Sequence, residues 1–237
     1  MLAQRTKEFA RLLGLEISRY RPFAARIASR LNEGGVELVI DVGASRGQYA
    51  TELRGHGYRG DIVSFEPVEE AFERLAAAAA SDVRWTCHRT ALGAVAGDAR
   101  MNVASNLASS SLLEMEATHR SAAPLVAVTA TQTVPIARLD DVLDDGRPCL
   151  LKLDVQGYED RVLDGAPTIL GRAVLVQCEL SIGDLYAGQA PVRSLIDRLD
   201  DLGFELVDLD PVFYDRGDGR VLQVDALFAR RRSHSSA

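Results

Sequence analysis

The chain has 237 residues, 47% of them hydrophobic and 26% charged, a composition typical of one globular domain. Its formal net charge is −7 and its pI is near 5.2, whereas a non-specific nucleic-acid binder carries the opposite sign, so we expect no nucleic-acid partner. No apolar stretch approaches the roughly 18 residues that a membrane span requires.

Cysteine usage and the N-terminal stretch bear on the compartment. Cys87, Cys149 and Cys178 are far apart and show no CxxC spacing, which argues against a structural zinc site or a disulfide framework. The stretch MLAQRTKEFARLLGLE is charged throughout and lacks an uninterrupted apolar signal region. We therefore expect a soluble, cytoplasmic protein with three buried thiols.

The first part of the chain is predicted to be helical and then to alternate between strands and helices. Apolar residues recur at helical spacing over about residues 5–31, where Pro22 should kink or split the helix, and we assign residues 1–35 to an N-terminal helical segment. Three strands separated by two helices follow, which predicts a right-handed parallel βαβ sheet. The strands lie in VELVIDVG, DIVSFEP and VRWTCHRTALG, and the helices in QYATELRGHG and VEEAFERLAAAAA.

The middle of the chain interrupts this alternation. Residues 98–138, approximately, are polar and serine-rich and then β-rich, and we interpret them as an insertion that is part loop and part extra strand. The α/β alternation resumes afterwards, and the turn DRGDGR predicts that the last two strands form an antiparallel hairpin. We expect one domain over residues 36–230 and a disordered tail over 231–237. The resumed elements are a strand in CLLKLDVQ, a helix in YEDRVLDGAPTIL, a strand in AVLVQCELS, a helix in PVRSLIDRLDDLG, and strands in FELVDLDP and VLQVDALFAR.

A glycine turn after the first strand suggests a ligand site. In VIDVGASRGQY, Asp41 ends the strand, and Gly43 and Gly47 follow in a turn that matches neither GxxxxGK[ST] nor GxGxxG. A carboxylate at this position would repel a pyrophosphate but suits a cationic amino acid, and Glu66 at the end of the second strand can accept both hydroxyls of a ribose. Both features fit S-adenosylmethionine. The alternative is that the two carboxylates cap the helices that follow.

Seven strings along roughly residues 37–228 resemble the FkbM family of S-adenosylmethionine-dependent methyltransferases. The strings are DVGASRGQY, SFEPVEEAFERL, ALG, SSSLLEM, RLDDVL, LLKLDVQGYEDRVLDGA and LQVDALF. The resemblance implies the class I methyltransferase fold, which is a Rossmann-like α/β fold. This fold has a seven-stranded, mostly parallel sheet with a C-terminal antiparallel hairpin and helices on both faces. The resemblance also implies O-methylation of a hydroxyl on a sugar, a glycan or a glycosylated natural product. Ser45 departs from the glycine that many class I enzymes have.

The strand ends and the resemblance together predict the cofactor site. We expect the adenine near HRTALG, and we leave two readings open for the run Ser109 to Ser111: a flexible polar loop, or hydroxyls that bind a polyol or the cofactor carboxylate. The predicted cofactor-binding residues are Asp41, Gly43, Ala44, Ser45, Gly47, Gln48, Glu66, Pro67, Ala91, Leu92 and Ser110.

The predicted catalytic residues are Asp154, His119, Glu179 and Lys152. A sugar hydroxyl is a poor nucleophile that needs a base or a metal, and the candidate bases are Asp154, Glu179, His119 and Asp225. Lys152 shares a strand face with Asp154 and either pairs with a nearby acid or faces the transfer site. His119 lies in the insertion, either as part of a lid or as a solvated loop residue. Carboxylates could hold Mg²⁺, but the spacing demands no metal site.

Two other functional classes compete with a methyltransferase. A catalytically inactive S-adenosylmethionine-binding partner domain would keep Asp41 and Glu66 but take no acceptor. A nicotinamide-dependent oxidoreductase is disfavoured by the missing GxGxxG and by the final hairpin. For an active enzyme we expect a small-molecule or glycan acceptor and leave the oligomeric state open, with a homo-oligomer as one option.

Overall fold

The structure is a computed structural model that describes residues 9–14 and 20–231. The strands found there are β1 (Leu38–Val42), β2 (Asp61–Phe65), β3 (Trp85–His88), β4 (Ala91–Leu92), β5 (Gly97–Ala104), β6 (Val128–Ala137), β7 (Cys149–Leu153), β8 (Ala173–Ser181), β9 (Phe204–Tyr214) and β10 (Val221–Arg230). The helices are α1 (Phe23–Glu33), α2 (Gln48–Gly55), α3 (Glu69–Ala79), α4 (Ala117–Ala122), α5 (Leu139–Val142), α6 (Glu159–Asp164), α7 (Pro167–Arg172) and α8 (Val192–Asp201).

The main sheet of the described residues has seven strands in the order β3-β2-β1-β7-β8-β10-β9. The neighbours from β3 to β8 pair in parallel, whereas β10 is antiparallel to both β8 and β9. The mostly parallel seven-stranded sheet and the C-terminal antiparallel hairpin predicted from the sequence are therefore confirmed.

Apolar side chains on both faces of the main sheet form the core. In β1, Leu38 and Ile40 belong to the cluster on one face, and Val39 to the cluster on the other face, which includes residues of α1 and α2. Each such side chain that leaves water contributes about 1.5–3 kcal/mol. Asp41 alternates with Ile40 and so lies on the face of Val39, where it is fully buried. A carboxylate at the end of an apolar strand thus enters the core rather than solvent.

The predicted insertion is more ordered than expected, because β5 and β6 join β4 in a second sheet. In the described residues this sheet has three strands in the order β4-β6-β5, with β5 and β6 antiparallel. We expected part loop and one extra strand. Most residues of β6 are exposed or half-buried, so the segment lacks the apolar pattern that identifies a core strand.

Three other local expectations change. The single helix expected over YEDRVLDGAPTIL is two helices, α6 and α7, and Pro167 is the first residue of α7. Gly165, between the two helices, packs against the backbone of Gly93, where an added Cβ would be 2.1 Å from the Gly93 carbonyl oxygen. Pro22 immediately precedes α1, so the predicted N-terminal helix is split at this proline. A helical turn covers residues 9–12, and residues 5–8 and 15–19 of the predicted helix lie outside the described residues. Residues 232–237 of the predicted tail lie outside them too.

The cysteines and the helices bear on the predicted compartment. Cys149 and Cys178 are buried and Cys87 is half-buried, so the expectation of three buried thiols holds for two of them. Among the described residues, no helix combines the length and apolar character needed to cross a bilayer.

The strand order reverses between β1 and β7, and this reversal is where open α/β sheets bind ligands. Gly43, immediately after β1, has a φ of +76°, and a Cβ added there would lie 1.8 Å from the carbonyl oxygen of Asp154 at the end of β7. The two loops that leave these strands therefore touch through their backbones.

We predict that Gly43→Ala destabilises the fold, because a side chain would adopt a left-handed conformation and collide with backbone that cannot move away. The free energy of unfolding in urea should fall by at least about 2 kcal/mol. Gly55→Ala is the matched control, since a Cβ at this position meets no described atom within 4 Å; its effect should stay within about 1 kcal/mol. Equal stability of the two variants would contradict the close approach.

Candidate functional site

A cleft opens at the carboxyl ends of β1, β2 and β7, and its roof comes from the second sheet and the loop after β5. The space between its atoms, together with open solvent at the mouth, is about 610 Å³. The lining is mostly apolar with a few polar groups, as in sites for small organic molecules. The lining residues are Val42, Gly43, Ser45, Phe65, Glu66, Pro67, Val68, Thr90, Ala91, Leu92, Met101, Leu107, Ala108, Ser110, Leu112, Asp154, Val155 and Tyr158.

Glu66 is held at the edge of the cleft by two backbone amides. The amide of Ser45 donates to Oε2 at 2.8 Å, and that of Val68 donates to Oε1 at 2.8 Å. Burial raises the pKa of Glu66 to about 7, although these two hydrogen bonds act in the opposite direction. The carboxyl is therefore fixed in place while its charge changes near neutral pH.

Ser45 lines the cleft and carries a hydroxyl without a described hydrogen-bond partner. Its φ of +47° lies in the left-handed region that favours glycine, which accounts for the glycine that many class I enzymes have here. Its Oγ is buried and has no hydrogen-bond partner among the residues that the structure describes. Buried hydroxyls are nearly always paired, so this group in the cleft lining is suited to a ligand.

Asp41 lies beneath the cleft and not in its lining, and its contact with a cofactor stays a prediction. Its carboxylate is fully buried: Oδ2 accepts from the hydroxyl of Ser64 at 3.2 Å, and Oδ1 lies 3.0 Å from Nζ of Lys152. The indole of Trp85 donates in turn to Ser64 at 2.9 Å. Strand periodicity identified the position of Asp41 but could not tell that its side chain turns toward a lysine.

Lys152 forms the ion pair that was one of its two predicted roles. Nζ contacts Asp41 at 3.0 Å and Asp154 at 3.4 Å, and it donates to the carbonyl oxygen of Gly43 at 3.0 Å. Burial lowers the pKa of Lys152, but the negative charges of Asp41 and Asp154 outweigh it, so the net shift is upward. The lysine stays charged beneath the cleft and is itself not part of the lining.

Asp154 brings an ionisable side chain to the cleft surface. The side chain is 34% exposed, and its Oδ1 accepts from Nε2 of Gln156 at 2.9 Å. The same nitrogen donates to Oε2 of Glu179 at 2.6 Å, which links the two predicted catalytic carboxylates although Glu179 does not line the cleft. Burial and then the charges of Asp154 and Asp225 raise the pKa of Glu179 well above its ordinary value.

Asp225 lies next to this pair in the register of the sheet. It is paired with Glu179 across β10 and β8. Burial and then the charge of Asp154 raise the pKa of Asp225 to about 7. The charge of Asp154 therefore acts on two carboxyls that do not line the cleft. Among the described residues, no group of three or more His, Cys, Asp or Glu is arranged to hold a metal ion.

The serine run is hydrogen-bonded to the rest of the site, and the binding of a polyol or of the cofactor carboxylate by its hydroxyls stays a prediction. Ser110 lines the cleft, and its Oγ accepts from the amide of Ala104 at 3.0 Å. The hydroxyl of Ser111 donates to the carbonyl oxygen of Gln156 at 2.7 Å. The roof is thereby attached to the loop after β7.

His119 lies away from the cleft, so its placement matches neither the lid nor the solvated loop. It is buried on α4, with its ring 5.4 Å from that of Tyr186 and 5.4 Å from that of Phe213. Burial lowers the pKa of His119. A short polar segment predicted a solvent-facing loop, whereas contacts distant in sequence bury the imidazole.

The predicted cofactor residues divide into those in the lining and those behind it. Ala44 is buried in the core, Gly47 leaves space for the ring of Trp85, and Gln48 is exposed and accepts from the amide of Arg46 at 3.0 Å. Those in the lining are Gly43, Ser45, Glu66, Pro67, Ala91, Leu92 and Ser110.

Two polar residues of the site were not anticipated as functional. Gln156 stands inside the family string KLDVQGYE, so a signal for it existed. Tyr186 bonds to Gln156 from a loop 30 residues further on, and no local pattern predicts that contact.

Comparison with known proteins agrees with this geometry. The model of the methyltransferase FkbM domain matches residues 41–206, and no curated protein matches the chain. An rRNA methylase from Streptococcus thermophilus aligns with a TM-score of 0.51 at 10% identity, covering 91% of this chain and 100% of that one. A precorrin-6y C5,15-methyltransferase from Geobacter metallireducens GS-15 aligns with a TM-score of 0.49 at 12% identity, covering 88% of this chain and 87% of that one. A putative RNA methyltransferase from Pyrococcus horikoshii aligns with a TM-score of 0.46 at 12% identity, covering 97% of this chain and 100% of that one.

At 10% identity, likeness to the Streptococcus thermophilus structure shows the fold and leaves the substrate open. That fold is the class I methyltransferase fold expected from the sequence. The family model spans more than half of the chain and includes the glycine turn, Glu66, Asp154 and Glu179. The chain therefore belongs to the FkbM family of S-adenosylmethionine-dependent methyltransferases.

Proposed function

We propose that this protein transfers the methyl group of S-adenosylmethionine to a hydroxyl of a sugar, a glycan or a glycosylated natural product. One observation carries the proposal: the cleft ends at the partly exposed carboxylate of Asp154, with Glu179 linked to it through Gln156. Carboxylates accept hydrogen bonds from hydroxyl groups and can remove a proton from them.

The cleft residues fit S-adenosylmethionine. Glu66 would accept the two ribose hydroxyls, and Ser45 offers a buried hydroxyl without a described partner. Ala91 and Leu92, together with Leu107 from the roof, give the apolar walls that an adenine needs. The bound cofactor supplies a methyl group on a positively charged sulfur. The sulfur leaves as a neutral thioether, S-adenosylhomocysteine, which is a good leaving group.

The remaining chemistry falls to the residues at the acceptor end. Asp154 would take the proton of the acceptor hydroxyl, so that the oxygen can form its bond to the methyl carbon. The roof would exclude water, and the carboxylates would orient the acceptor. Lys152, at 3.4 Å from Asp154, keeps that carboxylate in place and stabilises its charged form before the proton arrives.

RNA is a less favourable acceptor on electrostatic grounds. The Streptococcus thermophilus neighbour is an rRNA methylase by name, but it shares 10% identity with this chain. The net charge of −7 and the carboxyls at the acceptor end would repel a phosphate backbone. The same carboxyls suit a neutral polyol.

We predict that Glu66→Ala weakens the binding of S-adenosylhomocysteine by about 1.5–3 kcal/mol, the range for hydrogen bonds to a charged group. Isothermal titration calorimetry at pH 8 measures the change. Glu70→Ala is the control, since that exposed side chain pairs with Arg74 on α3 and is not part of the lining. Unchanged affinity of the Glu66 variant would remove the ribose assignment.

The affinity for S-adenosylhomocysteine should also depend on pH through Glu66. Because the pKa of Glu66 is raised to about 7, the ligand-free carboxyl is protonated below that pH and cannot accept two hydroxyls at once. Between pH 8 and pH 6 the wild-type affinity should fall by about tenfold more than that of Glu66→Gln, which has no proton to lose. Parallel pH profiles of the two proteins would contradict this account.

We predict that Asp154→Asn lowers kcat by about 10²–10⁴-fold, the usual contribution of a general base. Affinity for S-adenosylhomocysteine should stay within a few-fold, because the amide keeps the shape of the side chain. Transfer of labelled methyl groups to a panel of sugars and glycosides measures activity, with His119→Phe as a comparison for a candidate that lies away from the cleft. Normal turnover by Asp154→Asn would move the base to another residue.

The acceptor panel should include an rRNA fragment, and reactions with EDTA should accompany it. Transfer to RNA but to no hydroxylated small molecule would overturn the proposed acceptor class. Tight cofactor binding without transfer to any acceptor would favour the inactive partner domain. Activity lost in EDTA and restored by Mg²⁺ would show that the carboxylates act through a metal.

A further inference from the structure

We infer that Gln156 is a positioning residue that fixes Asp154 and Glu179 for the reaction and fastens the roof to them. The inference rests on the proposed function, since it takes Asp154 as the base, and it adds a role for a residue between the two carboxylates.

The side chain of Gln156 makes a hydrogen bond with every polar atom it has. Nε2 donates to Asp154 at 2.9 Å and to Glu179 at 2.6 Å, and Oε1 accepts from the hydroxyl of Tyr186 at 2.7 Å. The side chain is buried. These three bonds use both amide protons and place Gln156 between two groups that would otherwise repel each other.

The two carboxylates, which accept hydrogen bonds when ionised, determine which end of the amide faces them, and Tyr186 matches that orientation by donating to Oε1. If the amide were reversed, Oε1 would face two negatively charged acceptors, and Nε2 would face the tyrosine. The phenol has one proton and lies 3.2 Å from the carbonyl oxygen of Ser109 but 2.7 Å from Oε1 of Gln156, so the bond to Gln156 is the stronger one. The donor end therefore points to Asp154 and Glu179.

The backbone of Gln156 is strained, and its surroundings hold it there. Its φ of +54° is unusual for a residue with a side chain. The hydroxyl of Ser111 donates to its carbonyl oxygen at 2.7 Å, and Glu159 accepts from the amides of Val155 at 3.1 Å and Gly157 at 3.2 Å. Such strain persists where neighbouring contacts impose it, and it is common where a side chain must point in one functional direction.

Loss of the amide would change the charges at the acceptor end. Without its donors the ionised forms of Asp154 and Glu179 are less stable, so the pKa of the pair rises and the base stays protonated up to a higher pH. Gln223 also donates to Glu179, at 2.8 Å, but makes no described hydrogen bond with Asp154. The titratable groups that face this pair or its neighbours are Asp41, Lys152, Glu159, Tyr186 and Asp225.

The test compares wild type with Gln156→Met, which keeps the length of the side chain and removes its donors. We expect kcat to fall by about 10–100-fold, since small misplacements of catalytic groups have effects of this size. KM for S-adenosylmethionine should stay within a few-fold, and the acidic limb of the kcat profile should move up by about one pH unit. Tyr186→Phe should move the acidic limb of the kcat profile in the same direction but by less. Gln223→Met should lower kcat much less than Gln156→Met does.

A second measurement does not depend on turnover. Titration of the side-chain carboxyls by carbon-13 NMR in the ligand-free protein should show the Asp154–Glu179 pair ionising at a higher pH in Gln156→Met than in wild type. Should that variant not fold, Tyr186→Phe carries both measurements. An unmoved titration would overturn the inference. So would a fall in activity matched by an equal fall in affinity for S-adenosylhomocysteine, which is what a purely structural role gives.

Failure of this inference can be told apart from failure of the proposed function. If wild type methylates a hydroxyl and Asp154→Asn does not, while Gln156→Met is fully active with an unmoved acidic limb, Gln156 has no positioning role and the proposed function stands. If wild type methylates no hydroxylated acceptor, the proposed function fails, and the carboxyl titration still decides the role of Gln156.

Discussion

The ion pair between Lys152 and Asp41 is the interaction on which the rest of the site depends. Two charges inside a protein are tolerated when their geometry is good and their remaining hydrogen bonds are met, and breaking such a pair typically costs about 3–5 kcal/mol. Here Nζ of Lys152 reaches Asp41, Asp154 and the carbonyl oxygen of Gly43. Ser64 donates to the other carboxylate oxygen of Asp41 and itself accepts from the indole of Trp85. The ends of β1 and β7, the glycine turn and the carboxylate of Asp154 are thus joined at one ammonium group.

Around this cation the site holds more carboxyls than it can keep ionised. Burial raises the pKa of Glu66, Glu159 and Asp225 to about 7 in each case. Of these three carboxyls only Glu66 lines the cleft, whereas the charge of Asp154 contributes to the raised pKa of Glu159 and of Asp225.

Local sequence patterns predicted the main sheet and the strand ends of the site, because apolar runs and glycine turns are set by neighbours in the chain. They located Glu66, Asp154 and the turn at Gly43, since parallel strands end at one edge of a sheet. They could not show that Asp41 turns inward to Lys152, that His119 is buried against Tyr186 and Phe213, or that Tyr186 reaches Gln156. Each of these depends on packing between distant segments. The second sheet was missed because most residues of β5 and β6 are partly exposed to solvent, so their sequences lack the run of apolar residues that identifies a core strand.

The separate pairing of that second sheet has a consequence for how the family can diversify. β5 pairs with β6, and β6 with β4, so the hydrogen bonds of the roof do not enter the main sheet. Substitutions in β5 and β6 that leave the bond from Ser111 to Gln156 in place can therefore accumulate without breaking a hydrogen bond of the main sheet. The roof of the cleft can change while the ladder of the main sheet and its buried ion pair are inherited.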